Sequence, residues 1–299
     1  QIGIGELSKI VVFAGLTETP EMDKDNAYAY RMEIARDTKQ ISTNASYTEV
    51  GASFNPEMGY LKRENYRKWS GRIFTRFRPE NKFGLLEIRP HVNYDGYWKL
   101  DGFQESGRWH IDNHWEFRSG FEIHTGTNLV KEGVIEVFEI SDSVFVSAGT
   151  YDDQEIQIMI MTNQAKPISF SSMNRIGGFF GGDRINMTPT VRLRYKDRFT
   201  SEFSFNFNKV NLPGGNFTTN LLRARLTYSF TPKMYIQSLL QYNNQSDQWS
   251  MNWRFIWQQS AGTGLYLVYN QAQDYDGIPI EKSTKSFVVK YSYLFDALN

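Results

Sequence analysis

Trp249-Ser250-Met251-Asn252-Trp253-Arg254-Phe255-Ile256-Trp257-Gln258 decides the fold. Its odd positions carry Trp, Met, Trp, Phe and Trp, and its even positions carry Ser, Asn, Arg, Ile and Gln. A period of two sends alternate side chains to opposite faces of a strand. The same split recurs upstream. Ile185, Met187, Pro189, Val191, Leu193 and Tyr195 alternate with Asn186, Thr188, Thr190, Arg192 and Arg194. Phe203, Phe205 and Phe207 oppose Glu202, Ser204 and Asn206, while Leu222, Ala224, Leu226 and Tyr228 oppose Arg223, Arg225 and Thr227. No segment keeps a 3.6-residue period over three turns, so the chain is all-β.

The pattern places about sixteen strands, near 6–16, 27–37, 41–53, 67–79, 84–95, 107–117, 119–129, 151–163, 167–180, 184–196, 199–210, 217–229, 233–244, 247–259, 264–272 and 285–295. Most reach the 9–11 or so residues that cross a bilayer at a tilt. Links after even-numbered strands are short, as at Thr38-Lys39-Gln40, Glu80 to Phe83, Arg118-Ser119-Gly120 and Thr231-Pro232. Those after odd-numbered strands are often long: 17–26, 54–66, 96–106, 130–150, 211–216 and 273–284. Bacterial outer-membrane barrels sort their loops by end in this way.

Composition agrees. The 299 residues include 33 basic and 33 acidic side chains, no cysteine and 15% aromatics, with a mean hydropathy of −0.51. Zero net charge argues against a nucleic-acid surface. The lack of Cys excludes disulfides, thiolate metal sites and thiol catalysis. No apolar run is long enough for a transmembrane helix or a signal peptide. Since backbone groups in hydrocarbon must bond internally, only helices or closed barrels span. The expected fold is an antiparallel, up-and-down transmembrane β-barrel over residues 1–299. Trp249, Trp253, Phe255, Trp257, Phe203 and Phe205 then face lipid. His91, His110, Asp112, Arg192, Arg194, Arg223, Arg225 and Arg254 line a wet lumen. Reversing the faces would put the arginines into lipid at roughly 2–4 kcal/mol each near the midplane. A soluble barrel with an apolar core is the alternative.

Pro90 and Pro189 fall inside expected strands, where a residue without a donor predicts a bulge. Residues 130–150 read as a small hairpin or a further strand pair. The last strand, with Phe287, Val289, Tyr291, Tyr293 and Phe295 on one face, has the form of a barrel-insertion signal.

Several short segments resemble one family. They are Asn211-Leu212-Pro213-Gly214-Gly215-Asn216-Phe217-Thr218-Thr219, Tyr228-Ser229-Phe230, Gln241-Tyr242-Asn243, Asp247-Gln248-Trp249, Leu267-Val268-Tyr269-Asn270, Tyr47-Thr48-Glu49-Val50-Gly51, Phe54-Asn55-Pro56-Glu57-Met58-Gly59-Tyr60 and Phe179-Phe180-Gly181-Gly182-Asp183-Arg184. The family comprises large Gram-negative outer-membrane proteins of unknown function, joining an N-terminal carbohydrate-binding family 9-like sandwich to a C-terminal barrel. The resemblance covers most of the chain after about residue 40. It implies location in the bacterial outer membrane and a barrel architecture, but no reaction; a sandwich domain upstream of Gln1 would point to glycans. The chain departs from the family at Ala261-Gly262-Thr263-Gly264, where a Pro-Gly-Ser-Asp turn is usual. It also has no counterpart of the sandwich or the first barrel strands, so it reads either as a trimmed relative or, the preferred expectation, as the C-terminal part of a longer protein whose strand number would exceed sixteen.

All four histidines fall in one patch. His91 shares a polar face with Glu87, Arg89 and Asn93. His110, Asp112, His114 and Glu116 follow at spacing two, and Glu122 and His124 come after the Arg118-Ser119-Gly120 turn. A three-residue turn with Gly120 left-handed sets Phe117 opposite Phe121, Glu116 opposite Glu122 and His114 opposite His124. That register makes His114, His124, Glu116 and Glu122 a candidate metal set; a protonatable lining without metal is the alternative. His110 and Asp112 are expected too far apart for direct contact. There is no G-x-S-x-G elbow, and no catalytic residue or cofactor is assigned. Tyr97, Trp98 and Phe103 suit either an aromatic girdle or sugar stacking. The arginines would favour anions in an open lumen. The functional expectation is a non-enzymatic pore, transport or surface scaffold component, its partners being membrane lipid, other envelope proteins or a glycan. A plugged docking barrel and a lumenal metal hydrolase are the alternatives.

Overall fold

The structure, a computed structural model, describes residues 1–20, 24–80, 82–274 and 283–295. The expected links at 17–26, 80–83 and 273–284 contain residues outside that set. Among the described residues there is no helix, and nineteen strands are present.

Two compact units make up the chain. The first comprises Gln1–Ile158, Arg175–Arg184 and Asn211–Asn216. It holds β1 (Ile2–Ile4), β2 (Ser8–Leu16), β3 (Tyr28–Asp37), β4 (Ile41–Val50), β5 (Tyr66–Thr75), β6 (Leu85–Lys99), β7 (Gln104–Phe117), β8 (Glu122–Val134), β9 (Phe138–Ser141), β10 (Val144–Val146) and most of β11 (Gly149–Met161). The second comprises Met159–Asn174, Ile185–Val210 and Phe217–Asn299. It takes most of β12 (Ile168–Phe179), β13 (Gly182–Tyr195), β14 (Phe199–Leu212) and β15 (Gly215–Thr231), then β16 (Met234–Asn243), β17 (Gln248–Ser260), β18 (Thr263–Asp274) and β19 (Ser283–Ser292). Seventeen strands belong to one large sheet. Chain neighbours pair from β2 to β8, and β8 pairs with β11 past a separate β9–β10 hairpin. The hairpin lies in the expected 130–150 segment.

Each of the sixteen expected strands has a counterpart, but two links are shorter than expected. The 96–106 link contracts to 100–103 because Gly96 faces Gly107 and Tyr97 faces Ser106 within the β6–β7 ladder. The hairpin arms pair past both glycines. The 211–216 link contracts in the same way to Pro213-Gly214. Pro90 makes no bulge. It stays in register with Asn113, and its missing donor falls where the β5–β6 ladder lapses, between Phe74↔His91 and the isolated Phe77↔Ile88 bridge. There the Thr75 hydroxyl donates to the Pro90 carbonyl at 2.9 Å. Pro189 lies inside an unbroken β13.

Register in the second unit aligns the period-two faces of five strands. Tyr228, Ile236, Phe255, Leu267 and Val289 form one cross-strand row, and Leu226, Ser238, Trp253, Tyr269 and Phe287 form the next. On the other face, Arg223, Gln241 and Ser250 align, as do Thr227, Gln237 and Arg254. One sheet face is therefore apolar over several strands and the other is mostly polar.

Burial runs opposite to that of an ordinary core. In the first unit Trp109, Ile111 and Leu129 are exposed, while His110, Asp112 and Asn128 between and beside them are buried. Glu49, Glu87, Glu155 and Gln157 are buried too. In the second unit Phe203, Leu222, Trp257 and Phe287 are exposed, whereas Ser172 and Ser204 are buried. Charged and amide side chains are almost never fully buried unless paired, so the polar face must be self-satisfying, as it largely is.

Candidate functional site: a histidine–carboxylate grid

The histidines sit on a grid of three strands within the first unit. Reading across β6, β7 and β8, the rows are Asn93–His110–Asn128, His91–Asp112–Gly126, Arg89–His114–His124 and Glu87–Glu116–Glu122. The β7–β8 half is the register expected from the turn. Gly120 has a φ of 82°, the Phe117 and Phe121 rings are 5.7 Å apart, and His114 and Glu116 face His124 and Glu122. The β6 column was not expected. The long link assumed between β6 and β7, together with the bulges near Leu85–Glu87 and Tyr97–Trp98, hides that register from the sequence.

Arg89 organises the lowest rows. Its guanidinium donates to Glu122 and lies 3.4 Å from Glu116 and 3.7 Å from Glu87. Glu87 also accepts from Arg78 at 2.8 Å. Glu122 is further held by His124 Nε2 at 2.7 Å. The expected metal set is therefore rearranged: a cation of the protein already occupies Glu116 and Glu122. His114 and His124 do meet, but their rings stack with centroids 3.4 Å apart and planes 9° apart. Ring lone pairs lie in plane, so stacked imidazoles present them side by side and do not converge them on one ion.

The upper rows behave differently. His110 Nδ1 is 2.6 Å from Asn128 Oδ1, Asn128 Nδ2 donates to Glu155 Oε1 at 2.7 Å, and Arg184 donates to Glu155 Oε2 at 2.6 Å. His91 Nδ1 lies 3.1 Å from the Arg89 carbonyl. Asp112 Oδ2 is 3.3 Å from His110 Nε2 and 3.8 Å from His114 Nε2. The expected gap between His110 and Asp112 is thus closed, because both side chains lean along β7 toward each other. Gly126, opposite Asp112, leaves the space for this: a Cβ there would sit 2.8 Å from Asp112 Cγ. Sequence reasoning missed Asn128 and Glu155 as members of this network, and the only signal for them was their place on the polar face of their strands.

The arginines of the second unit are mostly engaged. Arg192 donates to Glu202 at 2.6 Å, and Arg223 lies 3.7 Å from the same carboxylate. Arg194 reaches the Gln164 and Lys166 carbonyls, and Arg254 donates to Asn252 at 2.6 Å. Arg225 is exposed. Of the expected apolar set, Phe203, Phe205 and Trp257 are exposed, and Trp249, Trp253 and Phe255 are half-buried. In the first unit Tyr97 packs under the Arg63 guanidinium and the Lys68 ammonium.

Comparison with known proteins yields one family, a domain of unknown function (DUF5916), matched over residues 6–221. A search of curated proteins finds no match.

Proposed function

We infer that this chain, which belongs to the DUF5916 family, is a non-enzymatic β-barrel of the bacterial outer membrane, closed around a polar, water-filled interior and serving as a pore, transport or surface scaffold component. The observation that carries this reading is the inverted burial. Exposed Trp109, Ile111, Phe203 and Leu222 share strands with polar side chains that are buried or half-buried. In water such a surface is an aggregation liability, because exposed apolar patches on soluble monomers are normally small. In lipid it is the stable arrangement, with apolar groups outward and hydrogen-bonding groups inward. Closure follows from the same physics: an open sheet edge in hydrocarbon leaves unpaired backbone groups at several kcal/mol each. Barrels of about sixteen strands leave room for an aqueous channel. The link to glycan handling rests on the sequence resemblance alone.

A cysteine-free chain makes the test clean. In reconstituted protein, Trp253→Cys should react with a membrane-partitioning maleimide and not with a charged, water-soluble one. Arg254→Cys should show the reverse preference. Labelling with the two preferences exchanged, or solubility of the folded protein without detergent, sinks the barrel. Planar-bilayer recording then separates the roles. Stepwise conductance supports passage, and a correctly labelled barrel that never conducts supports a plugged barrel that docks other envelope proteins.

A further inference from the structure

We propose that His91, His110 and Asp112 form a binding site for one divalent transition-metal cation of the zinc or cobalt type. The ligands lie on the β6–β7–β8 grid, with Glu155 of β11 behind Asn128, so the site does not depend on the barrel reading.

The first argument is an orphaned charge. Four carboxylates are buried among the described residues: Glu49, Glu87, Asp112 and Glu155. Glu49 accepts from Tyr28, Tyr47 and Arg67. Glu87 accepts from Arg78, and Glu155 from Asn128 and Arg184. Neither oxygen of Asp112 receives a well-aligned hydrogen bond, although its side chain is only 1% exposed; the nearest nitrogens are His110 Nε2 at 3.3 Å and His114 Nε2 at 3.8 Å. A buried carboxylate without a partner is strongly unfavourable.

The second argument is the direction of the histidine protons. Glu155 accepts from the Asn128 amide nitrogen, which fixes Asn128 Oδ1 as the atom facing His110 Nδ1. That oxygen can only accept, so His110 Nδ1 carries a proton. The Arg89 carbonyl imposes the same on His91 Nδ1. In the neutral rings each Nε2 then holds a lone pair. With Nδ1 protonated, a neutral His110 leaves Nε2 as an acceptor 3.3 Å from the Asp112 carboxylate, and only a proton or a metal cation between them removes that conflict. A divalent cation does so while also taking the His91 ring as a ligand. Metal-bound histidines also anchor their second ring nitrogen to a carbonyl or carboxylate in this manner.

Geometry permits it. One ligand atom from each of His91, His110 and Asp112 lies within 4.8 Å of the others. Tetrahedral zinc, with bonds near 2.0–2.2 Å, needs them about 3.3 Å apart, a closure that side-chain rotation supplies. Two neutral imidazoles and one carboxylate leave a fourth position for water. Asp112, His114 and His124 form the competing triad, but there the two rings are stacked and His124 Nε2 is bonded to Glu122.

The test uses tag-free, chelator-treated protein folded in detergent and titrated with Co²⁺. Ligand-field bands should saturate at one ion per chain and be displaced by Zn²⁺. Zn²⁺ should also raise the thermal unfolding midpoint of the unsubstituted protein. Asp112→Asn, His91→Ala and His110→Ala should each weaken binding by about 100-fold, and Asn128→Leu by about 10–100-fold, the usual range for a residue that orients a ligand. Gly126→Ala, which displaces the Asp112 carboxylate, should also weaken it, whereas His114→Ala should leave it within threefold. The proposal is overturned if folded protein gives neither bands nor a shifted midpoint. Binding that survives Asp112→Asn overturns it as well, because a protonated His110 would then be the partner of Asp112. Binding lost through His114→Ala but kept in His91→Ala places the ion elsewhere.

Discussion

Trp253→Arg is expected to lower the free energy of folding into lipid vesicles by about 2–4 kcal/mol, the cost of a cation near the bilayer midplane. Trp253 lies mid-way along β17, between Ser238 on β16 and Tyr269 on β18, in a row that continues to Leu226 and Phe287. No acidic side chain shares that row, so an arginine there finds no local counter-ion. The control is Ser250→Arg, three residues away on the opposite face, where Gln241 and Ala272 are the cross-strand neighbours. It should change stability by about 0.5 kcal/mol or less, as a substitution on a wet surface does. Urea titration of vesicle-bound protein, followed by the fluorescence of the other tryptophans, reads both. Equal costs, or a larger cost for Ser250→Arg, would show that the apolar face does not meet lipid.

The second large effect is expected at Arg89. Removing it as Arg89→Met leaves Glu116 and Glu122 without their shared guanidinium, and Glu87 with Arg78 alone. Deleting one partner of a buried charged network costs about 3–5 kcal/mol, because the remaining charges stay desolvated. Glu122 has the most to lose, since it takes the direct hydrogen bond. Glu116 is the most exposed of the three and loses least. Arg89→Lys should recover only part of the loss, since an ammonium cannot fork between carboxylates. Adding Glu116→Gln and Glu122→Gln to Arg89→Met should restore stability toward that of the unsubstituted protein. Denaturant midpoints in detergent decide it. If Arg89→Met costs less than about 1 kcal/mol, or the neutralised triple variant is no more stable than the single one, the grid is not held by this network.

Part of the candidate site was legible beforehand for a local reason. The β7–β8 register follows from one tight turn, and Arg118-Ser119-Gly120 carries its own signature, so the pairing of His114 with His124 and Glu116 with Glu122 could be derived by counting. The same counting failed between β6 and β7. Two bulges and the paired Gly96 and Gly107 make the link look longer than it is, and the column carrying His91 and Arg89 cannot be aligned without the ladder. Glu116 and Glu122 look free in the sequence only because nothing there places Arg89 beside them. Asp112 looks like ordinary polar lining only because nothing there shows that it lacks a well-aligned donor.

The amino-acid order determined by itself that the chain is all-β, roughly where each long strand runs, and which side chains share a face. Those properties belong to one strand at a time, because alternation by two is set by backbone geometry within the strand. Tertiary structure alone decided which rows line up. Row alignment depends on where hairpins close and where bulges slip the register, and a single-residue slip exchanges every neighbour. Through that alignment one arginine came to hold the glutamates while the aspartate beside His110 was left without a well-aligned donor, and the candidate ion site lies in that difference.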